Sequence, residues 1–397
     1  MKMTEPSTEQ FTARISKAAR TLPRVTSNEL SDTADRLRSQ GNDILTLCGT
    51  PFWRPPEHVL EAAERAAQDN VNPPSKGFFE LRQAIAHKLE GEGIDADPRS
   101  QILVTNGAMH ALSLVFATLL DPGDEVVMYR PGFFFFGPIR LASGVPTYAK
   151  TNQENHWRWD PEALEKAISP QTRMIVIDSP TNPTGYVSTK EDLLALAEIA
   201  RKYDLLVVSD ESYDNMIYEG ARHVRLASLR EFRERTITIC SFTKTFALQP
   251  WRLGFVLASS QITEHLQRVL EWNVLRCSHV AQRVGQAALE GSQVWVSDIS
   301  VRFQRGRDLM VEHLKSAAGL EFVVPKGGPF LFLNVAGLGI SGTDFSRWLL
   351  NEYGVPTDPG EFFGSGSHVR LPFGGPDDVI AEAGKRICAA SRNRIEK

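Results

Sequence analysis

Patterns that form metal sites or disulfides are missing from this sequence of 397 residues. Its four cysteines (Cys48, Cys240, Cys277 and Cys388) lie far apart, and neither a CxxC pair nor an HExxH pair occurs. We therefore expect no metal site and expect the cysteines to be reduced thiols. That redox state predicts a cytoplasmic location.

Long apolar runs and a strong excess of one charge are also lacking. No stretch approaches about 18 uninterrupted apolar residues, the length that predicts a transmembrane helix, and the N-terminal segment MKMTEPSTEQ has no apolar core of a secretion signal. The formal net charge of -4 gives no reason to expect nucleic acid or an anionic membrane as a partner. The expected partners are small molecules.

What is present is ordinary for a globular enzyme of two domains. Hydrophobic residues make up 42% and charged residues 23% of the chain. A chain of this length exceeds what one hydrophobic core usually serves. We predict a large domain over residues 55–292 and a small, discontinuous domain formed by residues 1–54 and 293–397.

Short β-branched runs alternate with amphipathic helical stretches through the middle of the chain. Strands are predicted at 102–105, 125–129, 174–178, 205–209, 236–240 and 254–257, with helices at 108–120 and 190–203. This alternation predicts an α/β fold with an open, largely parallel sheet covered by helices on both faces. In such sheets a ligand binds at the carboxyl ends of the strands. A helix at 300–314 and a strand at 330–335 are predicted for the small domain.

The most informative segment is residues 241–254, SFTKTFALQPWRLG, directly after a predicted strand. Lys244 can form an imine with an aldehyde if its pKa is lowered, and a nearby cation helps to lower it. Ser241 and Arg252 are suited to a phosphate, since one donates a hydroxyl and the other a bidentate guanidinium.

This segment resembles the SxSKxxxxxGxRxG signature of the class I and II aminotransferases, the fold-type I enzymes that use pyridoxal 5′-phosphate (PLP). Further segments match that family in the same order across roughly residues 45–375: TNGAM (105–109), NPTG (182–185), DESY (210–213) and HVRL (368–371). The resemblance implies a three-layer PLP-transferase fold, with a large, mainly parallel mixed sheet in one domain and a smaller α+β domain.

The resemblance also implies how PLP is held. Lys244 forms the Schiff base, Asp210 pairs with the pyridine nitrogen, and Tyr213 and Asn182 bind the phenolic oxygen. Lys244, Asp210 and Tyr213 are the implied catalytic residues. The other implied cofactor-binding residues contact the phosphate or stack on the ring: Gly107, Ala108, Met109, Phe133, Ser241, Arg252 and, toward the partner subunit's phosphate, Asn72.

For the substrate, the resemblance implies that Arg370 binds the α-carboxylate through two parallel hydrogen bonds. Gly49 and Asn182 are the other implied substrate-binding residues. The implied reaction is transamination between an α-amino acid and a 2-oxo acid or other co-substrate, in a homodimer with shared active sites.

Two departures from the family pattern leave a second reaction open. Asn72 stands where the family usually has a tyrosine, and Pro250 stands where it has a small residue. The residues that hold PLP serve many reactions, and a fold does not fix the function. The alternative is β/γ-elimination, γ-replacement or carbon–carbon bond formation from the same intermediate, in specialised amino-acid metabolism.

Overall fold

The larger of two sheets has seven strands in the order β1-β7-β6-β5-β4-β2-β3. The structure is a computed structural model that describes residues 14–50 and 53–396. The seven strands are β1 (Ile102–Thr105), β2 (Glu125–Arg130), β3 (Val145–Lys150), β4 (Thr172–Asp178), β5 (Leu206–Asp210), β6 (Thr236–Ser241) and β7 (Gly254–Leu257).

Six of these strands run in the same direction, and β7 runs against its two neighbours. The pairs β2–β3, β2–β4, β4–β5 and β5–β6 are parallel, whereas β7 is antiparallel to both β1 and β6. The carboxyl ends of the other six strands therefore share one edge of the sheet. Because β7 runs in reverse, its first residue, Gly254, lies at that same edge.

Both faces of this sheet are buried, which explains the nearly continuous apolar strands. Along β2, Val126 and Met128 belong to one core and Val127 and Tyr129 to the other, as the two-residue period of a strand requires.

The helices are α1 (Lys17–Thr21), α2 (Thr26–Ser39), α3 (Glu57–Gln68), α4 (Phe79–Glu90), α5 (Ala108–Leu119), α6 (Phe136–Leu141), α7 (Pro161–Lys166), α8 (Lys190–Lys202), α9 (Phe242–Thr245), α10 (Ser260–Val274), α11 (His279–Glu290), α12 (Val294–Leu314), α13 (Gly342–Tyr353) and α14 (Asp377–Ile395).

Local sequence sets where the helices beside the sheet begin. At α8 the Thr189 side chain accepts from the Asp192 amide while the Asp192 carboxylate accepts from the Thr189 amide, which is a capping box. At α5 the preceding Gly107 has φ of 81°, a conformation that favours glycine. The chain can therefore turn sharply from β1 into α5 at the edge of the sheet where the carboxyl ends of the six parallel strands lie, which we call the ligand edge.

A second, antiparallel sheet has four strands in the order β10-β11-β9-β8. Its core is formed with α12, α13 and α14, and it includes Phe345, Leu371 and Ile387. The strands are β8 (Glu321–Phe322), β9 (Phe330–Asn334), β10 (Asp358–Pro359) and β11 (His368–Pro372). The N-terminal segment joins this part of the molecule, because Cys48 forms a β-bridge with Gly374.

The predicted α/β fold with a mainly parallel mixed sheet and a smaller antiparallel sheet is confirmed. Strand β3 was not predicted, and neither was the reversal of β7. The predicted domain boundary between residues 292 and 293 falls in the loop between α11 and α12, and it stays a prediction. Among the described residues, no helix is both long and apolar enough to cross a bilayer.

Candidate active site

Two adjoining cavities lie at the ligand edge of the seven-stranded sheet. The larger cavity, of about 400 Å³, extends toward the second sheet and α2, and the smaller, of about 190 Å³, extends toward α5. Phe133, Tyr213 and Lys244 line both cavities. Because these three residues follow β2, β5 and β6, the sheet itself brings them together.

Lys244 lies in α9, the short helix that follows β6, and its amine points to the junction of the two cavities. The Nζ atom donates to the Gly49 carbonyl oxygen at 3.3 Å and lies 5.5 Å from the centre of the Tyr213 ring. Burial, and next the positive charge of Arg370, lower the pKa of Lys244 to about 7. A substantial fraction of this amine is therefore neutral and nucleophilic at physiological pH.

Two buried carboxyl groups line the smaller cavity. Burial raises the pKa of Asp210 to about 6, although its Oδ1 accepts from the Ser212 amide at 3.0 Å and hydroxyl at 2.5 Å. Burial also raises the pKa of Asp178 well above its usual value, and the charge of Asp210 adds to that effect. A cationic nitrogen entering this cavity would meet an acid that is only partly compensated by its surroundings.

The far wall of the smaller cavity provides donors for an anion. Ser241, Thr243 and Arg252 line it together with the first residues of α5, whose unpaired amide groups favour negative charge. A Cβ atom at Gly107 would lie 2.8 Å from Nη2 of Arg252, so only glycine leaves this space open. This donor set matches a phosphate group.

Pro250 fits the turn that delivers Arg252 to this wall. Residues Gln249–Trp251 form one turn of 3₁₀-helix with the proline in its first turn, and Arg252 follows with φ of 52°. Directly beyond it, a Cβ on Gly254 would lie 2.7 Å from the Cys240 oxygen and 3.0 Å from the carbonyl carbon of Gly107. The loops that carry Gly107 and Arg252 therefore approach each other closely.

A hydrogen-bonded chain links the two cavities. The Asn182 side-chain amide donates to the Tyr213 hydroxyl at 3.4 Å, and Nη1 of Arg370 donates to the Asn182 oxygen at 3.0 Å. The Arg370 guanidinium lies against the rings of Phe330 and Phe363, 4.1 Å and 4.6 Å from their centres. A fork for a carboxylate is thus fixed beside Lys244.

The predicted site residues are nearly all brought together. Gly49, Asn182 and Arg370 line the larger cavity, while Ala108, Met109, Asp210, Ser241 and Arg252 line the smaller one. Phe133 borders both cavities, whereas Phe134 borders only the larger. Asn72 is exposed and lies apart from both cavities of its own chain.

Sequence reasoning missed several residues of the site. Asp178 ends β4 without any pattern that singles it out, and Phe330 reads as an ordinary core residue of β9. Asp358 faces Arg370 across the β10–β11 pair, a relation that only the folded sheet reveals. The contribution of α2, through Leu30 and Ala34, likewise depends on how that helix docks.

A second cluster of buried charges lies directly behind the site and is centred on Arg225. Its guanidinium binds three carboxylates, those of Glu92, Glu211 and Asp214, the last at 2.5 Å. The Thr245 hydroxyl donates to Asp214 at 2.6 Å. Glu211, Asp214 and Thr245 are the chain neighbours of Asp210, Tyr213 and Lys244, so the same backbone carries both groups of residues.

A family model described as aminotransferase class I and II matches residues 42–387 of the chain. The aromatic-amino-acid aminotransferase 2 of Thermococcus litoralis is 35% identical over 347 residues, which cover 85% of this chain and 89% of that protein. The aspartate aminotransferase of Bacillus subtilis is 33% identical over 385 residues, covering 94% of this chain and 98% of that protein.

Solved structures agree with the fold of this chain over nearly their full length. The aspartate aminotransferase of Thermus thermophilus with maleate superposes with a TM-score of 0.90 at 33% identity, covering 94% of this chain and 99% of that one. The aromatic aminotransferase of Pyrococcus horikoshii superposes with a TM-score of 0.86 at 34% identity, covering 91% and 99%.

Proposed function

The chain belongs to the aminotransferase class I and II family, whose members generally depend on PLP, and we propose that Lys244 is the residue through which this aminotransferase acts. The observation that carries the proposal is the position of this amine. Its pKa is lowered to about 7. It lies between the anion cradle, formed by Gly107, Ser241 and Arg252, and the guanidinium of Arg370.

The residues of the smaller cavity fit PLP. Gly107, Ser241 and Arg252 form a cradle that a Cβ on Gly107 would fill, and its donors suit the phosphate. Asp210, buried and only partly compensated, suits a protonated ring nitrogen. The Asn182 amide and the Tyr213 hydroxyl lie together as partners for a phenolic oxygen.

The chain's own groups then have distinct tasks. PLP supplies, when bound, a ring that stabilises negative charge on the substrate's α-carbon. Lys244 would hold PLP through its aldehyde carbon, and its amine would move the proton at the substrate's α-carbon. Arg370 orients the amino acid by its carboxylate, and Asp210 holds the proton on the ring nitrogen.

The substrates are an α-amino acid and a 2-oxo acid. Among the relatives, one carries the name of an aromatic-amino-acid aminotransferase and others the name of aspartate aminotransferases. All of these names describe transamination, so they favour it over elimination, replacement or carbon–carbon bond formation. They leave the side chain of the amino acid open between an aromatic ring and a second carboxylate.

An assay of amino-group exchange tests the proposal. The purified protein with PLP is incubated with 2-oxoglutarate and with one amino acid at a time, phenylalanine, tyrosine or aspartate, and both products are quantified by chromatography. We expect equal amounts of glutamate and the 2-oxo acid of the donor. Lys244→Arg keeps the charge but should lose at least about a hundredfold in rate, the lower range for one general base.

Lys166→Arg is the matched control, because Lys166 pairs with Glu162 on the surface and lies outside both cavities. It should keep the wild-type rate. Release of ammonia or of a side-chain fragment, with no matching pair of products, would contradict transamination.

We further propose a homodimer that closes the smaller cavity. Trp272 is 94% and Leu275 66% exposed at the end of α10, and Met109 at the start of α5 is 38% exposed. The His110 side chain contacts Asn273, so these apolar residues surround the same corner of the molecule. An exposed apolar patch of this kind supports a protein interface. Trp272→Glu should shift the sedimentation mass to that of a monomer.

A cytoplasmic location is proposed from the thiols. None of the four cysteines, all of which lie within the described residues, is in a disulfide, and Cys240 and Cys277 are buried. Such thiols suit a reducing compartment. Fractionation of cells that express the native sequence tests this, and recovery in a secreted fraction would contradict it.

A further inference from the structure

Asp358 is the direct cross-strand partner of Arg370 in the second sheet. The two residues face each other in the register of β10 and β11, and their side chains are only 10% and 8% exposed. One carboxylate oxygen, Oδ2, accepts from Nε of Arg370 at 2.9 Å and from Nη2 at 2.6 Å. The carboxylate that Arg370 already binds is therefore part of the protein and lines the larger cavity.

This pairing leaves a defined remainder of the guanidinium for a ligand. A guanidinium has five N–H groups, of which two go to Asp358 and one to Asn182. One N–H on Nη1 and one on Nη2 remain, which is enough for one carboxylate held by two hydrogen bonds. The position supports one substrate carboxylate and no more.

The positive charge of Arg370 is also reduced by a residue of the protein itself. Asp358 offsets part of the charge of Arg370 at hydrogen-bond distance, so a substrate carboxylate meets directed donors with a reduced positive charge. It also meets the negative charge of Asp358 on the same guanidinium. Attraction by charge alone is therefore weak in this cavity. A ligand with two carboxylates binds more weakly, because each of them is repelled by the charge of Asp358.

Within one subunit, the described residues of the larger cavity offer no other cation that is free to bind a second carboxylate. Apart from Arg370, only Lys244 and Arg38 line it. Lys244 is the amine that reacts. Arg38 is held by the carboxylate of Asp35 at 2.7 Å, by two backbone carbonyl oxygens and by the Thr46 hydroxyl.

Much of the remaining wall is apolar, although Ser31, Thr46, Thr50 and Thr357 also line it. Leu30 and Ala34 of α2 face the rings of Phe133, Phe134 and Phe330 around the same cavity. Burial of an apolar side chain against such a wall supplies binding energy that needs no charge. The two properties of the cavity, a fork of reduced charge and a largely apolar wall, select in the same direction.

We propose that Asp358 is a specificity-determining residue: it offsets the charge of Arg370, so that the site accepts amino acids with one carboxylate and an apolar side chain and rejects dicarboxylic ones. This inference rests on the proposed aminotransferase function and refines its substrate class. It separates this chain from the relatives named aspartate aminotransferases, including one solved with maleate.

The test compares two carboxylates that lack an amino group and therefore bind without turnover. Maleate carries two carboxylates, and 3-phenylpropanoate carries one carboxylate and an aromatic ring. Their dissociation constants are measured by calorimetry on the PLP-loaded protein, for the wild type and for Asp358→Asn. The asparagine keeps the shape and an acceptor for Arg370 but removes the negative charge.

We expect the wild type to bind 3-phenylpropanoate at least about tenfold more tightly than maleate, and Asp358→Asn to reduce this preference by about tenfold, since like charges in one site strongly oppose binding. Asp192→Asn is the control: Asp192 is also buried and pairs with Arg158 at 2.9 Å, but it lies on α8. It should leave the preference unchanged.

Tighter binding of maleate by the wild type, or an unchanged preference in Asp358→Asn, would overturn the proposal. If Asp358→Asn does not fold, the ratio of kcat/KM for phenylalanine and aspartate in the wild type still decides, and a higher value for aspartate refutes it. A protein that transaminates no amino acid yet prefers 3-phenylpropanoate would refute the proposed function alone.

Discussion

The front and the back of the same short backbone segments carry buried charges that behave in opposite ways. On the front, Asp210 and Lys244 face the cavities with few partners. On the back, Glu211 and Asp214 bind Arg225. Front and back residues are neighbours in the chain, so the difference lies in their partners and not in the depth of the segment.

The pKa values record this contrast. On the front, burial raises the pKa of Asp210 to about 6 and lowers that of Lys244 to about 7, so both shift toward the neutral form. On the back, burial alone would raise the pKa of Glu211 and Asp214. At Glu211 the positive charge of Arg225, with a hydrogen bond from His223, outweighs burial, and at Asp214 the charges of Lys88 and then Arg225 do so, and both pKa values are lowered.

Burial therefore stabilises or destabilises a charge according to the partners that remain. The back cluster is complete within the protein, and it fixes the backbone that carries Asp210, Tyr213 and Lys244. The front groups lack partners that a cofactor and a substrate can supply. A rigid back makes it possible to hold reactive groups in front in an unfavourable state.

The largest effect on stability is expected when the buried carboxylates of the back lose a cationic partner. Arg225→Met leaves Glu211 and Asp214 buried without the guanidinium that binds both of them, which costs about 3–5 kcal/mol of the free energy of unfolding. Denaturant-induced unfolding of the apoprotein measures it. Arg235→Met, at an exposed pair with Asp204, should change stability by less than about 1 kcal/mol. Equal losses in both variants would show that the cluster has no special weight.

A smaller effect, this time a gain in stability, is expected when the buried amine of the front is removed. Lys244 has a folded pKa of about 7, below its ordinary value, so the buried charge destabilises the fold fully below pH 7 and the penalty vanishes as the pH rises through about 10.5. Lys244→Met should stabilise the apoprotein at pH 6 by about 2–3 kcal/mol, less than the shift implies because the amine borders an open cavity.

Thermal unfolding at pH 6 and pH 10 measures this prediction. The gain should be largest at pH 6 and small at pH 10. A variant that is less stable than the wild type at pH 6 would mean that the lysine is well compensated after all, and the contrast between front and back would fail at this residue.

The smallest effect is expected when the front receives a partner. Inorganic phosphate should stabilise the apoprotein by about 1.4 kcal/mol at a tenfold excess over its dissociation constant, because Arg252, Ser241 and the start of α5 supply donors that no carboxylate among the described residues pairs with. Arg252→Met should abolish the effect. Potassium chloride at the same ionic strength is the control, and equal stabilisation by chloride would argue against a phosphate site.

Much of the fold could be predicted because the strands of the large sheet are buried on both faces and contain β-branched runs. Strand β3 was not predicted because only Ala149 of its six residues is buried and because Pro146 interrupts the apolar pattern. The reversal of β7 escaped for another reason. A run such as Gly254–Leu257 indicates a strand but contains nothing that fixes its direction.

The site divided in a similar way. Residues that follow strands in recognisable motifs, such as Lys244 and Asp210, could be predicted from the sequence. Asp358 could not, because its importance comes from the register that sets it opposite Arg370. Nor could Arg225, since its three acidic partners lie between 11 and 133 positions away in the chain.

The division of the site between two sheets has a consequence in time. Every residue of the anion cradle, and Lys244 itself, belongs to the seven-stranded sheet or its loops, whereas Arg370 and Asp358 belong to the second sheet. Roughly 125 residues separate Lys244 from Arg370, so a ribosome working at about 5–20 residues per second needs about 6–25 s to cover them. Each newly made chain therefore has the groups proposed to hold PLP for several seconds before it has those proposed to select the substrate.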